Sequence, residues 1–104
     1  MPKEIDPKDL INGSLGDAFV LDVRAVEHYG LGAIKGSVNC PLDAETGEFV
    51  DPSIVDKLPR TCPVVVVCYQ GYLSQIACEI LEEQGIDARS LTGGYRGYQM
   101  ALLA

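Results

Sequence analysis

The segment Val64–Ser74 reads VVVVCYQGYLS and joins a β-branched apolar run to a short polar loop. Four consecutive valines are typical of a central parallel strand that is covered on both faces. From Leu73 to Leu81 the apolar residues follow helical spacing, and Gly85 is an expected helix stop. The segment therefore predicts a strand, a loop and a helix, with Cys68 at the mouth of the loop.

Strand and helix signals alternate on both sides of this segment. Compact apolar runs predict strands at residues 18–22 and 88–91, and an aspartate followed by proline predicts helices that open at Pro7 and Pro52. Residues 43–50 are predicted to be a loop, and residues 95–103 a terminal helix. This alternation predicts an α/β fold with a mostly parallel central sheet and helices on both faces. We expect one domain over residues 1–104.

The composition argues against several classes of partner. The chain has 8 Lys and Arg against 15 Asp and Glu, a net charge of −7. It therefore lacks the basic stripe that attracts nucleic acids and anionic membranes. No apolar run approaches the roughly 20 residues of a membrane helix. The N-terminus shows no apolar or Arg-rich leader, so we expect a cytoplasmic protein with no nucleic-acid or membrane partner.

The four cysteines are the next candidates for chemistry. None forms a C-x-x-C pair, and the chain has a single histidine, so neither a structural zinc site nor any other metal site is expected. A reducing compartment argues for free thiols. We expect Cys40, Cys62 and Cys78 to fill the core, although any of them could be a resolving thiol if its sulfur came within bonding distance.

Ligands of parallel sheets bind outside the carboxyl ends of the strands. That rule selects residues 22–24, the loop from Cys68 to Ser74, and residues 92–96. If the loop curls around the Cys68 sulfur, its amides and the positive end of the following helix stabilise a thiolate or a bound anion. Gly71 suits such a cradle, because it can adopt positive φ. The alternative is that Cys68 is only a small buried residue at a strand end.

Three stretches resemble the signatures of rhodanese domains. Residues 19–24, 27–29 and 32–42 resemble the first signature, Val64–Ser74 resembles the active-site strand and loop, and residues 91–95, LTGGY, resemble the closing Gly-Gly segment. The GGYRGY ending at residues 93–98 is most similar to rhodanese domains appended to flavin-dependent coenzyme A disulfide reductases. The resemblance covers nearly the whole chain in the family's order.

The resemblance implies a rhodanese-like fold and sulfur transfer. A low-molecular-weight persulfide or thiosulfate would give a sulfane sulfur to Cys68, which would hold it as a persulfide and pass it to a thiol or cyanide, without a metal or organic cofactor. A fused or separate flavoprotein disulfide reductase is a candidate partner. Asp22, Arg24 and Arg96 would support the site. The substrate-binding loop would comprise Tyr69, Gln70, Gly71, Tyr72, Leu73 and Ser74.

The loop departs from the family pattern in its charge. Arginines that often occupy the loop are replaced by Tyr69 and Leu73, and residues 69–88 contain no Lys or Arg. A dianionic donor thus lacks its clamp, and the apolar mouth favours a persulfide on a larger carrier over thiosulfate. The alternative is a catalytically weak or inactive regulatory module that binds a protein. A cysteine phosphatase is disfavoured, because Ser74 stands where that chemistry needs arginine.

Three polar residues near the predicted site have open roles. Asp22 and Arg24 form either a buried ion pair that braces the loop or an ordinary strand end, and the structural role is favoured. Arg96 either reaches the site or is solvated. His28 is expected at the surface or at a helix cap.

Overall fold

The computed structural model describes residues 3–104. In chain order the strands are β1 (Lys3–Ile5), β2 (Phe19–Asp22), β3 (Val38–Asn39), β4 (Leu42–Asp43), β5 (Glu48–Phe49), β6 (Val64–Val67) and β7 (Ala88–Leu91). The helices are α1 (Pro7–Ile11), α2 (Val26–Gly30), α3 (Ile54–Lys57), α4 (Leu73–Glu83) and α5 (Gly94–Leu102). Strands and helices alternate as the sequence predicts, except that β3, β4 and β5 follow one another without an intervening helix.

The main sheet has five strands in the order β1-β7-β6-β2-β3, and all of its pairings are parallel. β6 lies at its centre, with Val67 opposite Asp22 of β2 and Val66 opposite Ser90 of β7. Its four valines are 0% exposed, which confirms the predicted central strand. The sheet edges are β1 with three residues and β3 with two.

The valines of β6 alternate between two apolar cores. Val64 and Val66 belong to the core that packs against α3 and α4, whereas Val65 and Val67 belong to the core that packs against α1 and α5. Because each face of a strand carries every second side chain, an unbroken apolar run is the pattern that both cores require. Helices therefore cover both faces of the mostly parallel sheet, as predicted.

Of the two helix starts predicted at prolines, one is confirmed and one is wrong. The carboxylate of Asp6 accepts a hydrogen bond from the N–H of Lys8 at 2.9 Å, and α1 begins at Pro7 as expected. The second prediction is wrong by two residues, because α3 begins at Ile54. The carboxylate of Asp51 accepts from the N–H and the hydroxyl of Ser53, which closes a turn before the helix.

Two short elements were not predicted. β1 pairs with β7 at the sheet edge, and β4 pairs with β5 in an antiparallel hairpin where residues 43–50 were expected to form a loop. Strands of two or three residues are too short for an alternating pattern to be detectable. Within residues 3–104, no helix has both the length and the apolar character that crossing a membrane demands.

Candidate active site

Cys68 directly follows β6 and is 3% exposed. The N–H of Gly71 donates to its Sγ at 3.0 Å, and the Oγ of Ser74, in the first turn of α4, lies 3.4 Å from the same sulfur. The Oγ of Ser74 in turn lies 2.7 Å from the Oγ of Ser90 on β7. The loop thus curls around the sulfur, which accepts from one N–H and itself donates to the Ser74 hydroxyl oxygen.

Further N–H groups of the same loop lack a backbone partner. The N–H groups of Tyr69, Gln70 and Tyr72 have no backbone acceptor anywhere in residues 3–104. Tyr72 caps α4 without a side-chain hydrogen bond, and the first amides of any helix lack partners within it. Amides and a helix N-terminus attract negative charge, so this loop can stabilise an anionic sulfur or a bound anion.

The start of α5 holds the loop in place. The N–H of Tyr95 donates to the carbonyl of Cys68 at 2.7 Å, and the N–H of Arg96 donates to the carbonyl of Tyr69 at 3.2 Å. These amides belong to the unpaired first turn of α5, so the loop carbonyls cap the helix while the helix fixes the loop. The residues of the predicted closing segment therefore act on the loop through their backbone.

Two glycines make this contact possible. A Cβ on Gly94 would lie 2.5 Å from the carbonyl oxygen of Cys68, and one on Gly71 would lie 3.1 Å from the backbone nitrogen of Gly93. Gly71 also has φ +90°, the positive value that the predicted cradle requires. Any side chain at position 94 would push the loop away from α5.

Asp22 and Arg24 form a buried ion pair. Their closest atoms are 2.7 Å apart, and the two side chains are 0% and 5% exposed. The guanidinium also donates to the carbonyl of Gly32 at 2.7 Å and lies 4.4 Å from the centre of the Tyr95 ring. Arg24 therefore connects the end of β2 with the segment after α2 and with α5.

A cavity of about 370 Å³ lies beside the loop. Its lining includes Tyr69, which directly follows Cys68, but not Cys68 itself. Its apolar lining residues are the exposed Leu31 and the rings of Tyr69 and Tyr95. The remaining lining residues are Arg24, His28, Gly32 and Gln99.

Residues 6–101 match the family model of the rhodanese-like domain. The chain belongs to the rhodanese-like family. It is 32% identical over 103 residues to the tRNA sulfurtransferase of Desulfurococcus amylolyticus, covering 97% of this chain but only 19% of that protein. It is 36% identical over 84 residues to the thiosulfate sulfurtransferase GlpE of Shewanella oneidensis, covering 79% of this chain and 76% of GlpE.

The solved structures confirm the rhodanese fold. The CoADR-RHD protein of Bacillus anthracis superposes with a TM-score of 0.80 at 22% identity, covering 98% of this chain and 17% of that one. The resemblance to the rhodanese domains of disulfide reductases thus holds at the level of the fold. This rhodanese-like chain spans less than a fifth of that structure and of the tRNA sulfurtransferase.

In this rhodanese-like site the other predicted residues lie at different depths. Gln70 and Tyr72 are exposed, Leu73 packs against the α4 core, and Ser74 is 0% exposed. The side chain of Arg96 is exposed, and its contact with the loop is made by its backbone. Sequence reasoning missed Ser90. Tyr95 packs against the core and also lines the cavity, and its position directly after Gly94 could have marked it as a neighbour of the site.

The remaining thiols differ from Cys68 in their surroundings. All four cysteines are free, with Cys40 and Cys78 buried and Cys62 half-buried. Burial raises the pKa of Cys78 to about 12, with a further contribution from Glu82, and burial also raises the pKa of Cys40. Residues 3–104 contain no group of three or more His, Cys, Asp or Glu side chains that could hold a metal ion.

Proposed function

We propose that this chain is a sulfurtransferase that carries sulfane sulfur as a persulfide on Cys68. The observation that carries the proposal is the polar environment of one buried sulfur, with an N–H at 3.0 Å and a hydroxyl at 3.4 Å. Such donors favour the anionic sulfur that nucleophilic catalysis needs. Relatives named sulfurtransferases support the same chemistry.

The reaction needs two displacements at sulfur. The Cys68 thiolate attacks the sulfane sulfur of a donor R–S–S⁻, a new S–S bond forms, the donor S–S bond breaks, and R–S⁻ leaves with the electron pair. An acceptor thiolate then attacks the outer sulfur and releases the Cys68 thiolate. Cyanide as acceptor would yield thiocyanate. Loop amides stabilise the negative charge in both steps, so no metal or organic cofactor is required.

The charge around the loop favours an organic persulfide as the donor. Residues 69–88 contain no Lys or Arg, and the guanidinium of Arg24 is already bound to Asp22. Thiosulfate would therefore depend on backbone donors and on the exposed Arg96 beside the loop, without an arginine of the loop itself. The cavity beside Tyr69 can take the organic part of a thiol persulfide. Since one relative is named a thiosulfate sulfurtransferase, thiosulfate is the second donor to test.

A flavoprotein disulfide reductase is the proposed partner, fused to this chain or separate. The fold shared with CoADR-RHD supports this pairing. The proposed acceptor is a thiol, and a cytoplasmic location would keep the four free cysteines reduced.

Intact-mass measurement after incubation with glutathione persulfide or with thiosulfate tests the proposal. Wild type should gain one sulfur atom, faster from the persulfide, and Cys68→Ser should gain none. Cys62→Ser, which removes a half-buried thiol outside the loop, should load like wild type.

Failure of both donors to load wild type would reject sulfur transfer. The regulatory alternative would then be favoured, since Tyr69 is 52% exposed, Tyr72 80% and Leu31 87%, as a protein-binding surface would require.

A further inference from the structure

Ser74 and Ser90 are buried serines that extend from Cys68 in a chain of hydrogen bonds. Both are 0% exposed, and the chain runs from Sγ to the Ser74 Oγ over 3.4 Å and on to the Ser90 Oγ over 2.7 Å. We propose that Ser90 is a positioning residue that orients the Ser74 hydroxyl toward Cys68 and so favours the anionic form of its sulfur. The proposal rests on the proposed sulfurtransferase function.

The position of Ser90 in the sheet explains how it reaches Ser74. Ser90 lies on β7 opposite Val66 of β6, and Ala88, two residues earlier on the same strand, belongs to the core that packs against α4. Every second residue of a strand shares a face, so Ser90 points toward α4, where Ser74 occupies the first turn. A hydroxyl buried at such a position is costly unless it is paired.

The thiol and thiolate forms of Cys68 differ in how many of the thiol and hydroxyl protons find an acceptor. When the sulfur is anionic, Ser74 donates to Sγ and Ser90 donates to Ser74, so both hydroxyl protons have acceptors. When S–H donates to Ser74, Ser74 donates to Ser90, and the Ser90 proton has no acceptor among residues 3–104. An unpaired buried donor is penalised. Without Ser90 the same count would leave the Ser74 proton unpaired in the thiol form, so the specific contribution of Ser90 is polarisation: a Ser74 hydroxyl that accepts from Ser90 donates more strongly to the anionic sulfur.

This preference matters in both displacements. The thiolate is the attacking species in the first step, and it is the leaving group when an acceptor takes the outer sulfur. In that second step the electron pair of the S–S bond moves to Sγ, where the Ser74 hydroxyl donates. A donor whose orientation is already set by Ser90 costs no reorganisation at that moment.

The test follows the thiolate directly. The ultraviolet absorbance of the Cys68 thiolate is recorded against pH as a difference from the Cys68→Ser variant, in wild type, Ser90→Ala, Ser74→Ala, Ser90→Thr and Ser37→Ala. Cys40, Cys62 and Cys78 are present in every one of these variants, so the difference isolates the absorbance change that depends on Cys68. Ser37 is half-buried and its hydroxyl is bonded to Tyr29, so it is the control hydroxyl outside the site.

We expect the pH midpoint of the thiolate absorbance change to move to higher pH in Ser90→Ala and Ser74→Ala and to stay at the wild-type value in Ser37→Ala. Ser90→Thr, which keeps a hydroxyl, should restore the wild-type midpoint. Single-turnover transfer from loaded Cys68 to a thiol should slow on the order of fivefold in Ser90→Ala. An unchanged midpoint in Ser90→Ala, or no difference between Ser90→Ala and Ser90→Thr, would overturn the proposal. If wild type fails to load sulfur, the proposed function fails, while the midpoints still decide the role of Ser90.

Discussion

Cys68 and Cys78 are two buried thiols of the same core with opposite surroundings. Cys68 lies in a strand-end loop, where its sulfur accepts from the N–H of Gly71 and lies 3.4 Å from the Ser74 hydroxyl. Cys78 lies within α4, where burial and the carboxylate of Glu82 raise its pKa to about 12. A helix interior has no free N–H to offer, whereas a loop before a helix has several. Burial without donors therefore raises the pKa of a thiol, as at Cys78, whereas the loop supplies an N–H donor to Cys68.

The largest expected effect comes from replacing each of the two cysteines by alanine in turn. Cys68→Ala should abolish sulfur loading, since no other thiol in residues 3–104 accepts a hydrogen bond from an N–H at its sulfur. Cys78→Ala should retain loading. Mass spectrometry of each variant after incubation with a persulfide checks both expectations. Loading of Cys68→Ala would mean that a second thiol can act as the carrier.

A second test concerns the buried ion pair of Asp22 and Arg24 at the end of β2. Asp22→Asn leaves the guanidinium of Arg24 buried without its counter-ion, because the two side chains are 0% and 5% exposed. We expect a loss of about 3–5 kcal/mol in the free energy of unfolding. Denaturant titration followed by circular dichroism measures it. Lys57 and Asp51, an exposed pair 3.9 Å apart, provide the control, and Lys57→Gln should change stability by less than about 1 kcal/mol.

Displacing the loop without touching its side chains is the third test. The added methyl of Gly94→Ala would lie 2.5 Å from the carbonyl oxygen of Cys68, so the loop must shift. A misplacement of about 1 Å costs on the order of a hundredfold in rate, and we expect that loss in persulfide transfer. Gly36→Ala is the matched control, because its φ of +83° is strained in the same way but nothing lies within 4 Å of its Cβ. Equal rates in the two variants would refute the importance of this contact.

The smallest expected effect is the pH dependence of the free energy of unfolding that the Cys78 thiol causes. Its pKa is raised from 9.0 to about 12 in the folded chain, so the folded state keeps a proton that the unfolded state loses above pH 9. The stability linked to this thiol is complete below pH 9 and is lost as pH rises toward 12. Compared with Cys78→Ala, wild type should lose stability over that interval. Parallel unfolding curves at pH 8 and at about pH 10.5 measure the difference; a constant difference would contradict it.

The sequence predicted the elements whose patterns are local. β6, β7 and α4 were found because valine runs and helical spacing specify them without reference to the rest of the chain. β1 was missed because its three residues become a strand only by pairing with β7. The start of α3 was misplaced because the Asp51 carboxylate closes a turn instead of capping the helix.

The residues of the candidate site also fall into those with a local sequence signal and those recognised only from tertiary contacts. Cys68 and Gly71 were identified from a loop that follows a strand, which is a local signal. Ser90 was not, because it reaches Ser74 only through the pairing of β7 with β6 and the packing of α4. The role of Arg24 also stayed open until its contacts with Gly32 and Tyr95 were visible.

The short strands at the two edges of the sheet have a consequence for self-association. β1 offers three residues, two of them the exposed and charged Lys3 and Glu4, and β3 offers only two residues. An edge of this length and charge is a poor template for adding a strand from another molecule. The valine-rich strand, which would be the most aggregation-prone segment if it were exposed, is kept away from both edges at the centre of the sheet.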